Sequence, residues 1–272
     1  MRTATAVVVA LALLMSAGLQ AQRTAPTALI HYREGLRLMG SEQWTAAERE
    51  FLLAIGIAPD FELAHYWVGR ARIGDGRYVA AIQALETCRG LYLQAAGTRA
   101  TDQLDAQRRR DDQLREIREV IRERQGGRQS AASDRVITHL ENLAKDIEWQ
   151  KHSGSNMDFE LSVPAFVSLS LGSAYFRGND LAAAEKHYLA AIDANPKMGE
   201  AHNNLAVVYL LTGRVKQAAE ETTLAEKAGF KVNPASRSKS KRRSAADDPS
   251  GSGPAVCPAV ANMRAGADPN AP

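Results

Sequence analysis

Histidine and cysteine are the residue types in this chain that most readily suggest chemistry, so their spacing comes first. His31 and His65 lie 34 residues apart, and His202 follows further along. A shared zinc ion would need imidazole nitrogens at about 2.0 Å together with further ligands. No further His or Cys is near either residue in sequence. Placed at equivalent points on neighbouring packed helices, the two backbones would stand about 10 Å apart. Packing roles are therefore expected for these histidines, with no metal and no cofactor. Nucleophilic and phosphate chemistry fare no better, since G-x-x-x-x-G-K, H-E-x-x-H and G-x-S-x-G are all missing. Gly74-Asp75-Gly76 looks like part of a dinucleotide fingerprint, but it joins two helical segments instead of following a strand. It is a turn. Cys88 falls in a small-residue packing position and Cys257 in a polar tail, a poor pair for a disulfide. An acid–base cluster around His139, His152 and Asp158 would mark an enzyme or accessory subunit, and this is the alternative to a binding role.

The elements that must position these residues are helical. Between Thr27 and Phe230 the only prolines are Pro59, Pro164 and Pro196, and apolar residues recur there with helix spacing. Two segments repeat at an offset of 34 residues: Ala28–Asp60 with the segment starting at Glu62, and Ala165–Pro196 with Gly199–Phe230. In the first unit Gly35, Leu38, Trp44, Ala47, Phe51, Ala54 and Pro59 hold the repeated positions. Val68-Gly69, Gly76, Tyr78, Ala81, Leu85 and Cys88 hold them in the second. Leu171-Gly172, Tyr175, Ala184, Tyr188, Ala191 and Pro196 follow in the third, then Leu205-Ala206, Tyr209, Gly213, Ala218 and Ala225 in the fourth.

This pattern resembles the tetratricopeptide repeat (TPR) family. The resemblance implies an all-α fold, a TPR-type α-α superhelix of helical hairpins. Its glycine and alanine positions have a physical reason, because Gly35, Gly69, Gly172 and Ala206 on the first helix meet the second with little bulk, as do Ala47, Ala81, Ala184 and Ala218 from the other side. Phe51, Leu85 and Tyr188 then fill the space between neighbouring hairpins. Pro59 and Pro196 stop the second helix. The fourth unit carries Thr222 where the others have a large apolar residue.

The organisation expected is a signal peptide over 1–21, repeats over 27–95 and 164–230, a helical insert or degenerate repeats over 96–163, and a tail over 231–272. Arg2 precedes an apolar run from Ala6 to Ala17, and Ala21 offers a small residue before a cut. That run is shorter than the ~18 residues a spanning helix needs. Export to a periplasm or the exterior is expected, with no stable membrane span after cleavage. The tail holds six of the ten prolines and a basic run of Arg237, Lys239, Lys241, Arg242 and Arg243. Its composition cannot offset ordering entropy, so disorder is expected. Net charge is +3 overall, but residues 1–230 are close to neutral, which argues against nucleic acid as a partner.

The insert breaks the repeat pattern. Asp102–Glu123 is densely charged, with Leu114, Ile117 and Ile121 forming a short stripe. Gly126-Gly127 ends it, and Ser133 or Asp134 can cap a second helix carrying Val136, Leu140, Leu143 and Ile147 on one face. The hairpin either stacks as degenerate repeats or projects from the array. Pro164 suits the first turn of the next repeat, capped by Ser162.

By resemblance, the first helices line a concave groove that binds a peptide or a partner helix. Carried onto this sequence, that face presents Tyr32, Arg33, Tyr66, Trp67 and Arg70, with Asn203 and Asn204 further along. The reading is a non-enzymatic adaptor or scaffold that binds a protein or peptide partner in that groove, with self-association as the structural alternative.

Overall fold

The computed structural model describes residues 27–96, 100–125, 131–153 and 163–232. The expected signal peptide and the tail from Asn233 onward, with Cys257, lie outside these residues, as do Ser162 and Asp158. Ten α-helices and no strand are present among the described residues. They are α1 (27–39), α2 (Trp44–Ile57), α3 (Glu62–Gly74), α4 (Tyr78–Ala96), α5 (Ala100–Gln125), α6 (Ala131–Ser153), α7 (Ala165–Arg177), α8 (Leu181–Ala194), α9 (Gly199–Leu211) and α10 (Val215–Lys227). The fold is all-α, a TPR-type superhelix with α1–α2, α3–α4, α7–α8 and α9–α10 as its hairpins.

The small-residue positions work as their spacing implies. A Cβ added at Gly35 would lie 2.5 Å from the Phe51 ring, one at Gly69 2.5 Å from Leu85, and one at Gly172 2.5 Å from Tyr188. In each hairpin the glycine lets the large residue of the second helix sit flat on the first. Phe51, Leu85 and Tyr188 are accordingly buried.

Each hairpin also turns in the same way. Arg77, Asp180 and Arg214 each donate a backbone N–H to a carbonyl five residues back, after a left-handed residue at Gly76, Asn179 or Gly213. Glu42 holds the same place in the first hairpin with φ of 57°, a conformation disfavoured for a residue with a Cβ. Gly229 closes α10 likewise, with φ of 82° and the Phe230 N–H on the Ala225 carbonyl. Successive hairpins are joined by matching ion pairs. Glu48 on α2 takes Arg77 and Arg72 from the second hairpin, and Glu185 on α8 takes Arg214 at 2.5 Å from the fourth.

The insert does not occupy a place in the stack. Helix α7 packs on α4 as α3 packs on α2, so the four repeats run on without a gap. The α5–α6 hairpin instead follows α4 and lies against α1, α3 and α7, the first helices of three repeats. Leu114, Ile117, Val120, Leu140, Leu143 and Ile147 are buried in the same core as Tyr32, Tyr66 and Trp67.

Local details differ from expectation around the insert. Helix α6 starts at Ala131, so Ser133 and Asp134 sit inside its first turn and do not cap it. Pro164 is the N-cap residue of α7, not part of its first turn. The α7 N-terminus is met from outside, where Asp146 on α6 accepts the Phe166 N–H at 3.1 Å and the Asn195 amide at 2.9 Å. Burial nevertheless dominates at this carboxyl and raises its pKa above the usual carboxylate value.

Candidate protein-interaction surface

The face of the first two repeats expected to be an open groove is covered by the chain's own α5–α6 hairpin. Tyr66 is fully buried, and its hydroxyl lies 2.5 Å from His139 Nε2 on α6 and 3.1 Å from Ser170 Oγ on α7. Trp67, 1% exposed, donates its indole N–H to the Tyr32 hydroxyl at 3.2 Å. The Tyr66 ring stacks on His139, with centroids 5.8 Å apart, and meets Phe166 edge-on at 4.9 Å. Burial raises the pKa of both tyrosines and pushes that of His139 well below its ordinary value. His139 is thus a neutral hydrogen-bonding partner. His152 and Asp158, named with it as an acid–base cluster, have no described side-chain placement.

These positions correct the assignment of Tyr32, Tyr66 and Trp67 as exposed groove anchors. They are core, because the apolar stripes of α5 and α6 need a partner face and the aromatic inner face of α1 and α3 provides it. Arg33 remains at the edge and is committed to the hairpin. It grips Glu116 with two nitrogens, at 2.5 and 2.9 Å, and lies 3.2 Å from Glu123 and 3.6 Å from Glu119. Those three glutamates recur along one face of α5. Arg135 on α6 pairs with Glu42 at 2.5 Å, so the strained Glu42 also faces the hairpin. Asn203 and Asn204 are both buried, and the Asn203 amide donates to Asn204 at 3.3 Å. They do not share a surface with Tyr32, Tyr66 and Trp67. Arg70 is half-buried beside an opening, a cavity of about 140 Å3 that it shares with Arg135 and Arg177.

The histidines are joints between or within hairpins. His202 Nδ1 meets Glu221 at 2.6 Å and its Nε2 the Pro196 carbonyl at 3.1 Å. His31 meets Glu50 at 2.8 Å, and His65 the Pro59 carbonyl at 2.9 Å. The Glu221 contact raises the pKa of His202. Among the described residues no three His, Cys, Asp or Glu side chains could hold one metal ion, and no helix is long and apolar enough to cross a membrane.

Two larger openings flank the hairpin. One of about 500 Å3 lies between the starts of α1 and α3 and the middle of α5. The other, about 310 Å3, lies between α6, the start of α9 and the end of α10, with Asp146, Phe166 and Phe230 in its wall. The repeat pattern alone fixes neither opening, because each exists only once the insert is folded onto the array. The available signal was a pair of unmatched faces, apolar stripes on the insert and an aromatic face on the repeats. The tetratricopeptide repeat family model matches residues 32–90 and 169–229. No curated protein matches the chain.

Proposed function

We propose that this chain, with tetratricopeptide repeats over 32–90 and 169–229, is an exported, non-enzymatic adaptor that holds a protein or peptide partner on the inner side of its array. TPR repeats generally mediate protein–protein interaction, and that supports the adaptor role. The observation that carries the finer reading is the cleft of about 500 Å3 beside α5. It is large enough for several side chains of a bound segment, and it opens where the hairpin stops covering the first two repeats. Export rests on Arg2 followed by the apolar run Ala6–Ala17.

The test is crosslinking and capture from the native compartment with the full chain as bait, followed by mapping of the crosslinked residues. Partner crosslinks at α1, α3 or α5 agree with the proposal. A protein that captures nothing above background is not an adaptor. N-terminal sequencing of the mature protein tests export, since a chain that still begins at Met1 was not processed.

A further inference from the structure

We propose that the cleft between α1, α3 and α5 binds a cationic, aliphatic protein segment, one in which Lys or Arg side chains flank Leu-type residues. This rests on the adaptor reading and names the chemistry of its partner. The floor is apolar, reached at Leu29, Ala58 and Phe61 with Ala28 and Leu63 buried beneath them. Around it stand Asp60, Glu62, Asp112, Glu116 and Glu119 against a single guanidinium, Arg115.

Some of that charge is already met. Arg33 holds Glu116 from behind, and Gln113 donates to Glu62 at 3.0 Å while Arg110 lies in the field of the same carboxylate. The helix N-termini at Thr27 and Glu62 add partial positive charge. At the solvent edge stand Asp60, Asp112 and Glu119, with Arg115 held 3.1 Å from Asp112 and Arg33 3.6 Å from Glu119, so that carboxylates still outnumber cations there. The rim is therefore negative and the floor greasy. An occupant must be complementary to both, which rejects an acidic segment by charge and a purely polar one for want of buried area. Long cationic side chains fit such a rim because their methylene stems cover apolar surface while the charged ends reach the carboxylates.

The experiment is fluorescence anisotropy of the full chain with a fluorescein-labelled Lys/Leu peptide, using Glu/Leu and Lys/Ser peptides of equal length as comparators. The Lys/Leu peptide is expected to bind at least tenfold tighter than either, and to weaken with added salt. Neutralising the rim with Asp60→Asn, Asp112→Asn and Glu119→Gln together is expected to weaken it about tenfold at an unchanged melting temperature. Leu29→Gln tests the floor and is expected to weaken it several-fold. Asp193→Asn with Glu220→Gln removes exposed charge elsewhere and should leave binding intact.

Equal binding of the Glu/Leu peptide, or equal loss in the Asp193/Glu220 control, overturns the proposal. Self-association of the full chain that disappears in the rim variant also overturns it, by assigning the cleft to a second copy. A crosslinked native partner retained by the rim variant refutes the cleft and leaves the adaptor reading standing. Peptide binding as expected, with no native partner captured, refutes the adaptor reading alone.

Discussion

Replacing Gly172 by Ala isolates the packing rule on which the array depends. The added Cβ would sit 2.5 Å from both Cδ1 and Cε1 of Tyr188. Carbon atoms rest at about 3.5–4.0 Å, so roughly 1 Å of movement is required. The Tyr188 ring cannot supply it cheaply, being 2% exposed and packed in the core with Ala165, Leu169, Ala191 and Leu205. Overpacking of this kind costs about 2–3 kcal/mol, and the better helix propensity of Ala returns ~1 kcal/mol. We expect a net loss of about 1–2 kcal/mol, read as a lower urea midpoint by far-UV circular dichroism, with a melting temperature about 3–8 °C lower. Gly90 is the control. A Cβ there meets nothing within 4 Å, so Gly90→Ala should stabilise by about 0.5–1 kcal/mol. The fourth repeat supplies a second check, because it pairs Ala206 with Thr222 where the third pairs Gly172 with Tyr188. Tyr188→Thr should therefore absorb most of the Gly172→Ala penalty, giving a coupling of about 1 kcal/mol or more in a double-mutant cycle. If Gly172→Ala stabilised the protein as Gly90→Ala does, or if the cycle were additive, the slot argument would fail.

Trp67→Ala should cost about 3–5 kcal/mol of stability, since the side chain is 1% exposed; a variant that unfolds like the parent would return Trp67 to the surface. Glu42→Gly should leave stability unchanged or raise it by up to ~1 kcal/mol. It relieves a φ of 57° and gives up only a half-exposed ion pair with Arg135; a loss above ~1 kcal/mol in urea would contradict this. His139 has a depressed pKa, so its contribution is present above its unfolded value near 6.5 and is lost as pH falls through the folded value. We expect His139→Gln to flatten the acid limb of stability below about pH 6.5, and parallel profiles for parent and variant would refute that role.

What the sequence disclosed and what it withheld divide along the range of the interactions. Glycines at 35, 69 and 172 face their partners on the same hairpin, so a single 34-residue period carries the information. The ion pairs Glu48–Arg77 and Glu185–Arg214 reach only the next hairpin, and they too recur in register. The insert obeys no period. Its place is set by contacts such as Arg33 with Glu116 and Tyr66 with His139, which join positions far apart in the chain. Pattern reading assigns a face to each helix but not the helix that covers it. Tyr32, Tyr66 and Trp67 thus read as an exposed aromatic face, and Leu114, Ile117, Leu140 and Leu143 as stripes without a stated partner. Two amphipathic surfaces of one chain, each too apolar to stay in water, should be tried against one another before either is given to a ligand. Here that match fills the groove at the first two repeats and moves the open surface to the edges of α5. The residues to test for partner binding are consequently Leu29 on the first helix together with Asp60, Asp112 and Glu119, acidic positions that no repeat pattern singles out.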